Sequence, residues 1–146
     1  MYLRITYSSG VLPNALRPSH FPLRWRIRFR AAASLYGVSD PLQLRAVTHK
    51  FEADYIDWLI GDPDTQPERY VERSPLAQAE RIRTPVIFFQ GLRDAVVLPS
   101  QTEQMVAALD DNGVPVHCVT FADERHGFRK AAHLAQVLED EARGDE

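Results

Sequence analysis

Short apolar runs alternate with amphipathic stretches along this chain from residue 31 onward, and the alternation predicts strands and helices in turn. Three runs have the length and composition of buried strands: 31–38, 84–91 and 115–121. The second run, "TPVIFFQG", is almost continuously apolar and contains a proline near its start and a glycine at its end, which is typical of a strand covered on both faces. Such strands separated by helices predict an α/β fold with a parallel sheet of about three strands.

Apolar positions at steps of three and four predict a helix after each strand. The first helix begins at Asp40 and Pro41, a capping acid followed by proline at the first helical position, and ends at Gly61. Its predicted buried face consists of Leu44, Val47, Phe51, Tyr55 and Trp58. The second helix begins in the capping-box pattern "SQTE", with Ser100 as the cap. The predicted apolar face of the last helix consists of Phe128, Ala131, Leu134, Val137 and Leu138.

Composition narrows the class of protein. The 146 residues suit one domain, and 45% hydrophobic with 25% charged residues are typical of a soluble globular protein. Cys118 is the single cysteine, so no internal disulfide can form and a reducing, cytoplasmic compartment is expected. No apolar stretch has the length of a membrane helix, and no paired Cys/His cluster supports a metal site. The net charge of −3 disfavours nucleic-acid binding, and we expect no membrane contact.

Asp94 and His126 are the residues that carry candidate chemistry. Each follows shortly after a predicted strand, and active sites of parallel α/β sheets lie at the carboxyl ends of strands. A serine hydroxyl becomes a good nucleophile when a histidine takes its proton, and that histidine needs a carboxylate to orient it. In α/β hydrolases the three residues come in the order Ser, Asp, His. Asp94 and His126 therefore fit the last two places of a hydrolase triad.

The other polar groups near these loops have simpler interpretations. Arg93, Glu124 and Arg125 flank the two candidates and are expected to be solvated loop charges. His133 has no comparable sequence context, and we expect it to have a structural or surface role. Cys118 lies in the middle of a predicted strand, where a small core residue is the expected role.

Four stretches together resemble the prolyl oligopeptidase family of serine peptidases, in particular bacterial dipeptidyl-peptidase and acylaminoacyl-peptidase-like members. They are "SLYGVSD", "THKFEADYIDWLIG", "PVIFFQGLRDAVVLPSQTEQM" and "ERHGFRKAAH". The resemblance extends from about Phe29 to about Glu141 and implies the C-terminal half of an α/β-hydrolase catalytic domain. It implies serine-type hydrolysis of a peptide substrate without a metal or cofactor. Asp94 would orient His126, and His126 would act as general base and then as general acid.

The nucleophile that the resemblance implies is not identifiable in this sequence. In the family the serine lies in a Gly-x-Ser-x-Gly-Gly elbow upstream of the "YGVSD" stretch, which corresponds to residues 10–16 here. No two of the seven glycines are four positions apart, so the motif does not occur in the chain. Ser8 and Ser9 lie nearby but without the flanking glycines that a strained strand-to-helix elbow requires.

The N-terminal segment 1–28 has a different composition from the rest of the chain. Six arginines and no acidic residue precede Asp40. We expect 1–28 to be a basic, irregular segment outside the resemblance, such as out-of-frame translation of a GC-rich gene produces. Residues 29–146 are expected to be a partial catalytic domain. A mitochondrial targeting peptide is disfavoured because prolines interrupt an amphipathic helix at Pro13, Pro18 and Pro22.

Three hypotheses on function follow from these observations. The first is a serine-peptidase catalytic-domain fragment that holds the base and its orienting acid and is inactive alone. The second is a non-catalytic truncated product or pseudo-hydrolase that binds a partner, because the uncovered edge of a small sheet invites self-association. The third is an α/β hydrolase of the esterase type.

Overall fold

The computed structural model of the protein describes residues 31–48 and 50–143, with the backbone alone for residues 50–54. The elements in chain order are β1 (Ala32–Leu35), α1 (Pro41–Val47), α2 (Lys50–Ile60), α3 (Pro67–Glu72), a 3₁₀ turn (Ala79–Arg81), β2 (Val86–Gly91), α4 (Pro99–Asp111), β3 (Val116–Phe121) and α5 (Ala131–Arg143). In this part of the chain, none of the helices has the length and apolarity needed to cross a bilayer. The segment 1–28, with Ser8 and Ser9, lies outside the described residues, so its boundary stays a prediction.

The three strands form one parallel sheet in the order β1-β2-β3, with β2 in the centre. Ala32 pairs with Val86 and Val86 pairs with Val116, so the strands run in register from a common edge. Side chains alternate between the two faces of a strand, and β2 buries Phe88 on one face and Phe89 on the other. This two-sided burial explains the continuous apolar run, and the predicted parallel α/β sheet is confirmed.

Each face of the sheet has its own core. Phe89 packs on the α5 side with Ala33, Leu35, Phe121, Phe128 and Val137. Phe88 packs on the α4 side with Ala79, Met105, Leu109 and Val114. Full burial of one phenylalanine contributes about 1.5–3 kcal/mol, so these residues hold β2 and β3 firmly side by side. The loops that leave the carboxyl ends of the two strands consequently begin at fixed, adjacent positions.

The predicted first helix is in fact two helices. Thr48 has an extended backbone (φ −83°, ψ 161°) and its N–H donates to the Leu44 carbonyl, so α1 ends before α2 begins. The break changes the phase of the helical pattern, and Ile56 of α2 is buried beside Leu44. Three members of the predicted buried face are instead exposed: Val47, Tyr55 and Trp58. The prediction of one continuous helix with these side chains in its core is therefore wrong.

The start of α4 also differs from the prediction. The helix begins at Pro99, and Leu98 occupies the cap position without a side-chain hydrogen bond. Ser100 lies inside the first turn, so the predicted capping box is not formed. Proline has no N–H to satisfy, and its fixed φ suits the first helical position, so the helix starts there without a polar cap.

The last helix, α5, begins at Ala131 and buries Val137 as predicted. Phe128 was predicted on this helix but lies in the loop before it, where it is buried between the aromatic side chains of β3 and the end of β1. Leu134 and Leu138 are substantially exposed. The apolar periodicity therefore identified the helix correctly but placed its start too early.

Candidate active site

Asp94 and His126 lie in the two loops that follow β2 and β3. The Asp94 N–H donates to the Gly91 carbonyl, which closes a tight turn at the end of β2. The Leu92 N–H donates to the Phe121 carbonyl at the end of β3, so the first residue of one loop is bonded to the neighbouring strand. The two loops are therefore neighbours at the carboxyl edge of the sheet, where the sequence predicted them.

The side chains of Asp94 and His126 meet at this edge. His126 Nδ1 lies 2.9 Å from Asp94 Oδ2. The Asp94 side chain is fully buried, whereas 27% of the His126 side chain is exposed. In the tautomer that this contact favours, Nδ1–H donates to the carboxylate and Nε2 carries the lone pair that can accept a proton. The structure thus brings the two predicted site residues together in the geometry of a base and its orienting acid.

The second carboxylate oxygen of Asp94 is held by its own loop. Asp94 Oδ1 accepts hydrogen bonds from the N–H groups of Val96 and Val97, each at 2.9 Å. A buried carboxylate is costly unless its oxygens are hydrogen-bonded, and here both oxygens have partners. These bonds also fix the plane of the carboxylate, because Oδ1 faces the turn and Oδ2 faces the imidazole.

Buried polar side chains support the Asp94 loop from α4 and β2. Gln90 Nε2 donates to the Val97 carbonyl at 3.2 Å, and Thr102 Oγ1 donates to Gln90 Oε1 at 2.8 Å. Ser39 of the "SLYGVSD" stretch donates to the Gln101 carbonyl at 2.8 Å, which ties the segment before α1 to α4. Sequence reasoning missed this network, since polar residues at helix starts and strand ends carry no signal of burial.

Tyr36 is a further residue of the site that the sequence did not reveal. Its ring packs edge-on against the His126 ring with centroids 5.0 Å apart, and against Phe128 at 5.1 Å. The Tyr36 N–H extends the sheet by donating to the Phe89 carbonyl, yet its φ is +41°. A non-glycine residue in this left-handed region carries a strain of about 1–3 kcal/mol, which the surrounding packing must offset. The sequence feature that could have identified Tyr36 is an aromatic residue directly before Gly37 at the end of a strand.

Glu124, which was expected to be a solvated loop charge, is buried, with 3% of its surface exposed. Its carboxylate accepts hydrogen bonds from the N–H groups of Arg129 at 3.2 Å and Lys130 at 3.0 Å, and from the His133 ring at 2.8 Å. Burial by itself raises the pKa of Glu124, but these hydrogen bonds outweigh burial and the pKa lies below its usual value. The expectation was wrong because unpaired N–H groups ahead of α5 provide partners for a carboxylate.

The remaining flanking residues follow the expectations more closely. Arg93 and Arg125 are exposed, as solvated loop charges should be. His133 stacks on Phe121 with ring centroids 4.4 Å apart while its Nδ1 contacts Glu124. These contacts place His133 beside Glu124 and the core, a position that could not be read from the sequence, and its structural or surface role stays a prediction.

Potential nucleophiles in the described part of the chain have other environments. Ser39 Oγ donates to Gln101, and Ser74 Oγ donates to the Ser39 carbonyl at 3.0 Å. Within residues 31–48 and 50–143, no serine hydroxyl is hydrogen-bonded to His126. Burial raises the pKa of the Cys118 thiol, which disfavours the reactive thiolate. Among the same residues, no three His, Cys, Asp or Glu side chains are grouped to hold a metal ion.

Comparison with known proteins identifies relatives of this chain. The sequence profile of the prolyl oligopeptidase family matches residues 23–143. Dipeptidyl aminopeptidase BIII of Pseudoxanthomonas mexicana is 32% identical over 107 residues, which cover 70% of this chain and 16% of that protein.

Solved structures agree with the sequence matches. A puromycin-hydrolyzing peptidase of Mycobacterium tuberculosis superimposes with a TM-score of 0.73 at 44% identity, covering 77% of this chain and 17% of that one. The Pyrococcus horikoshii acylaminoacyl peptidase gives a TM-score of 0.61 at 27% identity, covering 68% of this chain and 16% of that one. The chain thus spans less than a fifth of the length of these relatives. Its three strands and flanking helices match part of their α/β-hydrolase fold.

Proposed function

The chain belongs to the prolyl oligopeptidase family of serine peptidases, as its sequence motifs predicted, and we propose that Asp94 and His126 are the acid–base pair of a peptide-hydrolysing site. The observation that carries this proposal is the contact of 2.9 Å between His126 Nδ1 and Asp94 Oδ2. A buried carboxylate on one side of the imidazole and solvent exposure on the other is the arrangement that a general base requires.

In this proposal His126 transfers the proton in both halves of the reaction. Its Nε2 takes the proton of a serine hydroxyl as the hydroxyl oxygen attacks the peptide carbonyl, and returns that proton to the leaving amine. A water molecule then attacks the acyl ester. Nε2 accepts a proton from this water and donates it to the serine oxygen as the ester bond breaks and the acid product leaves. The Asp94 carboxylate accepts the Nδ1–H hydrogen bond in both halves and stabilises the imidazolium that forms in each step.

We further propose that the 146-residue chain does not hydrolyse peptides by itself. Its sequence contains no Gly-x-Ser-x-Gly motif, and the serines with described hydrogen bonds are engaged away from His126. Loss of the nucleophile from a serine-peptidase triad lowers the rate by about a millionfold, even when the base and its acid are intact. The chain would then supply only the orienting and proton-transferring half of the machinery.

Labelling with a serine-directed fluorophosphonate tests whether a nucleophile is present. We expect the purified chain to remain unlabelled, because a hydroxyl without an activating base reacts slowly. A related peptidase with an intact elbow, treated in parallel, is the positive control. Stoichiometric labelling of the chain that is lost in His126→Ala would overturn the proposed inactivity and locate a nucleophile beside His126.

A further inference from the structure

Glu124 is a buried carboxylate close to the site that the proposed reaction does not use. It is the first residue after the turn that ends β3, and it lies two positions before His126 in the chain. It is almost completely buried, although Asp123 beside it is exposed. Burial of a charged carboxylate is energetically unfavourable unless its hydrogen-bond partners compensate for the lost contact with water.

The carboxylate of Glu124 closes the loop that carries His126. It accepts the N–H groups of Arg129 and Lys130, so one side chain joins the beginning of the segment 124–130 to its end. Gly127, whose φ is +79°, allows the backbone to turn in the middle of this loop. The loop is therefore closed by hydrogen bonds to an ionised group, which are stronger than those between neutral groups.

The backbone of Glu124 joins this loop to the loop of Asp94. Its carbonyl accepts the Arg93 N–H at 3.0 Å. A Cβ at position 91 would lie 2.6 Å from the same carbonyl oxygen, so this approach requires glycine at the end of β2. Glu124 thus contacts both sides: its carboxylate holds the far end of the His126 loop, and its carbonyl is bonded next to Asp94.

We propose that Glu124 is a positioning residue that holds the His126 loop against the Asp94 loop and so maintains the hydrogen bond between their side chains. This inference rests on the proposed function, in which the two residues are orienting acid and base. The His133 ring is the third group that contacts the Glu124 carboxylate. Its stacking on Phe121 holds the ring against the core. Tyr36 and Phe128 then support the imidazole and its loop from the sheet side.

Nuclear magnetic resonance on the isotope-labelled 146-residue chain provides the test. The first readout is the downfield signal of the His126 Nδ1 proton, which persists only while the bond to Asp94 shields it from water. The second is hydrogen exchange at the Arg93 amide, whose acceptor is a backbone carbonyl and is still present after any substitution of the Glu124 side chain. Both readouts report the position of the loop rather than the mutated contact itself.

In Glu124→Ala we expect the Nδ1 signal to be lost and exchange at Arg93 to rise by about tenfold, as follows from opening a loop held by charge-assisted bonds. Arg129 N–H and Lys130 N–H bond to different oxygens of Glu124, and Glu124→Gln keeps only one acceptor oxygen, so it should restore both readouts in part. Asp123→Ala is the matched control, because it removes the neighbouring exposed carboxylate. That carboxylate contacts Lys130 Nζ at the surface and lies 4.0 Å from His133 Nδ1, and its loss should change neither readout.

Glu124→Asp retains the charge but shortens the side chain. It replaces Glu124→Ala in both measurements if Glu124→Ala does not fold. The same direction of change in Glu124→Asp supports the positioning role. An unchanged Nδ1 signal and unchanged Arg93 exchange in folded Glu124→Ala or Glu124→Asp would overturn it. The proposed function fails separately, if His126 proves dispensable for turnover in a complete active site while the Nδ1 signal is intact.

Discussion

At the scale of residues, two buried carboxylates lie in one pair of loops, and the sequence made only one of them recognisable. Asp94 follows a strand and a glycine, and a histidine follows the next strand, so its chemistry could be predicted from order and spacing. The burial of Glu124 depends on N–H groups of residues 129 and 130, which meet it only after the chain has turned at Gly127. No local pattern records such a contact, and Glu124 therefore resembled any other loop charge.

The lowered pKa of Glu124 should make the folded state sensitive to acid. Because the pKa lies below its ordinary value of 4.5, the ionised carboxylate stabilises the fold above that pH, and the contribution is lost as the pH falls through the lowered value. In Glu124→Gln, the free energy of unfolding should therefore fall less steeply between about pH 5 and pH 3 than in the unmutated chain. Urea unfolding at each pH measures this dependence.

Asp123→Asn is the control for the acid experiment, since the Asp123 carboxylate is exposed and surface ion pairs contribute little. Its unfolding free energy should keep the steep pH dependence of the unmutated chain. Equal slopes in Glu124→Gln and the unmutated chain would show that Glu124 is not the group responsible.

At the scale of elements, strands could be predicted from the sequence more reliably than helices. The apolar run 85–89 is short, begins at a proline and is followed shortly by a glycine, which favours a strand, and the structure gives that strand a core on each face. The predicted first helix failed because the apolar steps of three and four continue across Thr48, whose extended backbone breaks the helix. Periodicity cannot distinguish one helix from two short ones when the spacing of apolar residues in the sequence continues across the break.

The exposed position of Trp58 provides a test of whether α1 and α2 are two separate helices. Trp58 is 78% exposed and stacks only on Tyr55 among the aromatic rings described, so Trp58→Ala should change the unfolding free energy by less than about 0.5 kcal/mol. Phe89 is fully buried, and Phe89→Ala should cost about 3–5 kcal/mol. Urea denaturation of both variants measures the contrast, and a loss in Trp58→Ala comparable to that in Phe89→Ala would contradict the two-helix arrangement.

At the scale of the whole molecule, the order of elements predicted the fold class, and the resemblance of four sequence stretches indicated the family. The fold brings residues 32 positions apart into contact. What the sequence could not provide was the support around the pair: the strained Tyr36, the buried Gln90 and the closing role of Glu124. Each depends on chain segments that are distant in sequence. Among the described residues β1 and β3 each pair only with β2.

The proposal that Asp94 and His126 are a working acid–base pair can be tested in a complete enzyme. Its most direct test is a chimera in which residues 31–143 replace the equivalent segment of the puromycin-hydrolyzing peptidase of Mycobacterium tuberculosis, with puromycin hydrolysis as the assay. We expect the chimera to hydrolyse puromycin and Asp123→Asn to leave kcat unchanged. Asp94→Asn should lower kcat by about ten-thousandfold, and His126→Ala by about a millionfold. A folded chimera whose rate is the same with and without His126 would contradict the claim and favour the non-catalytic alternative.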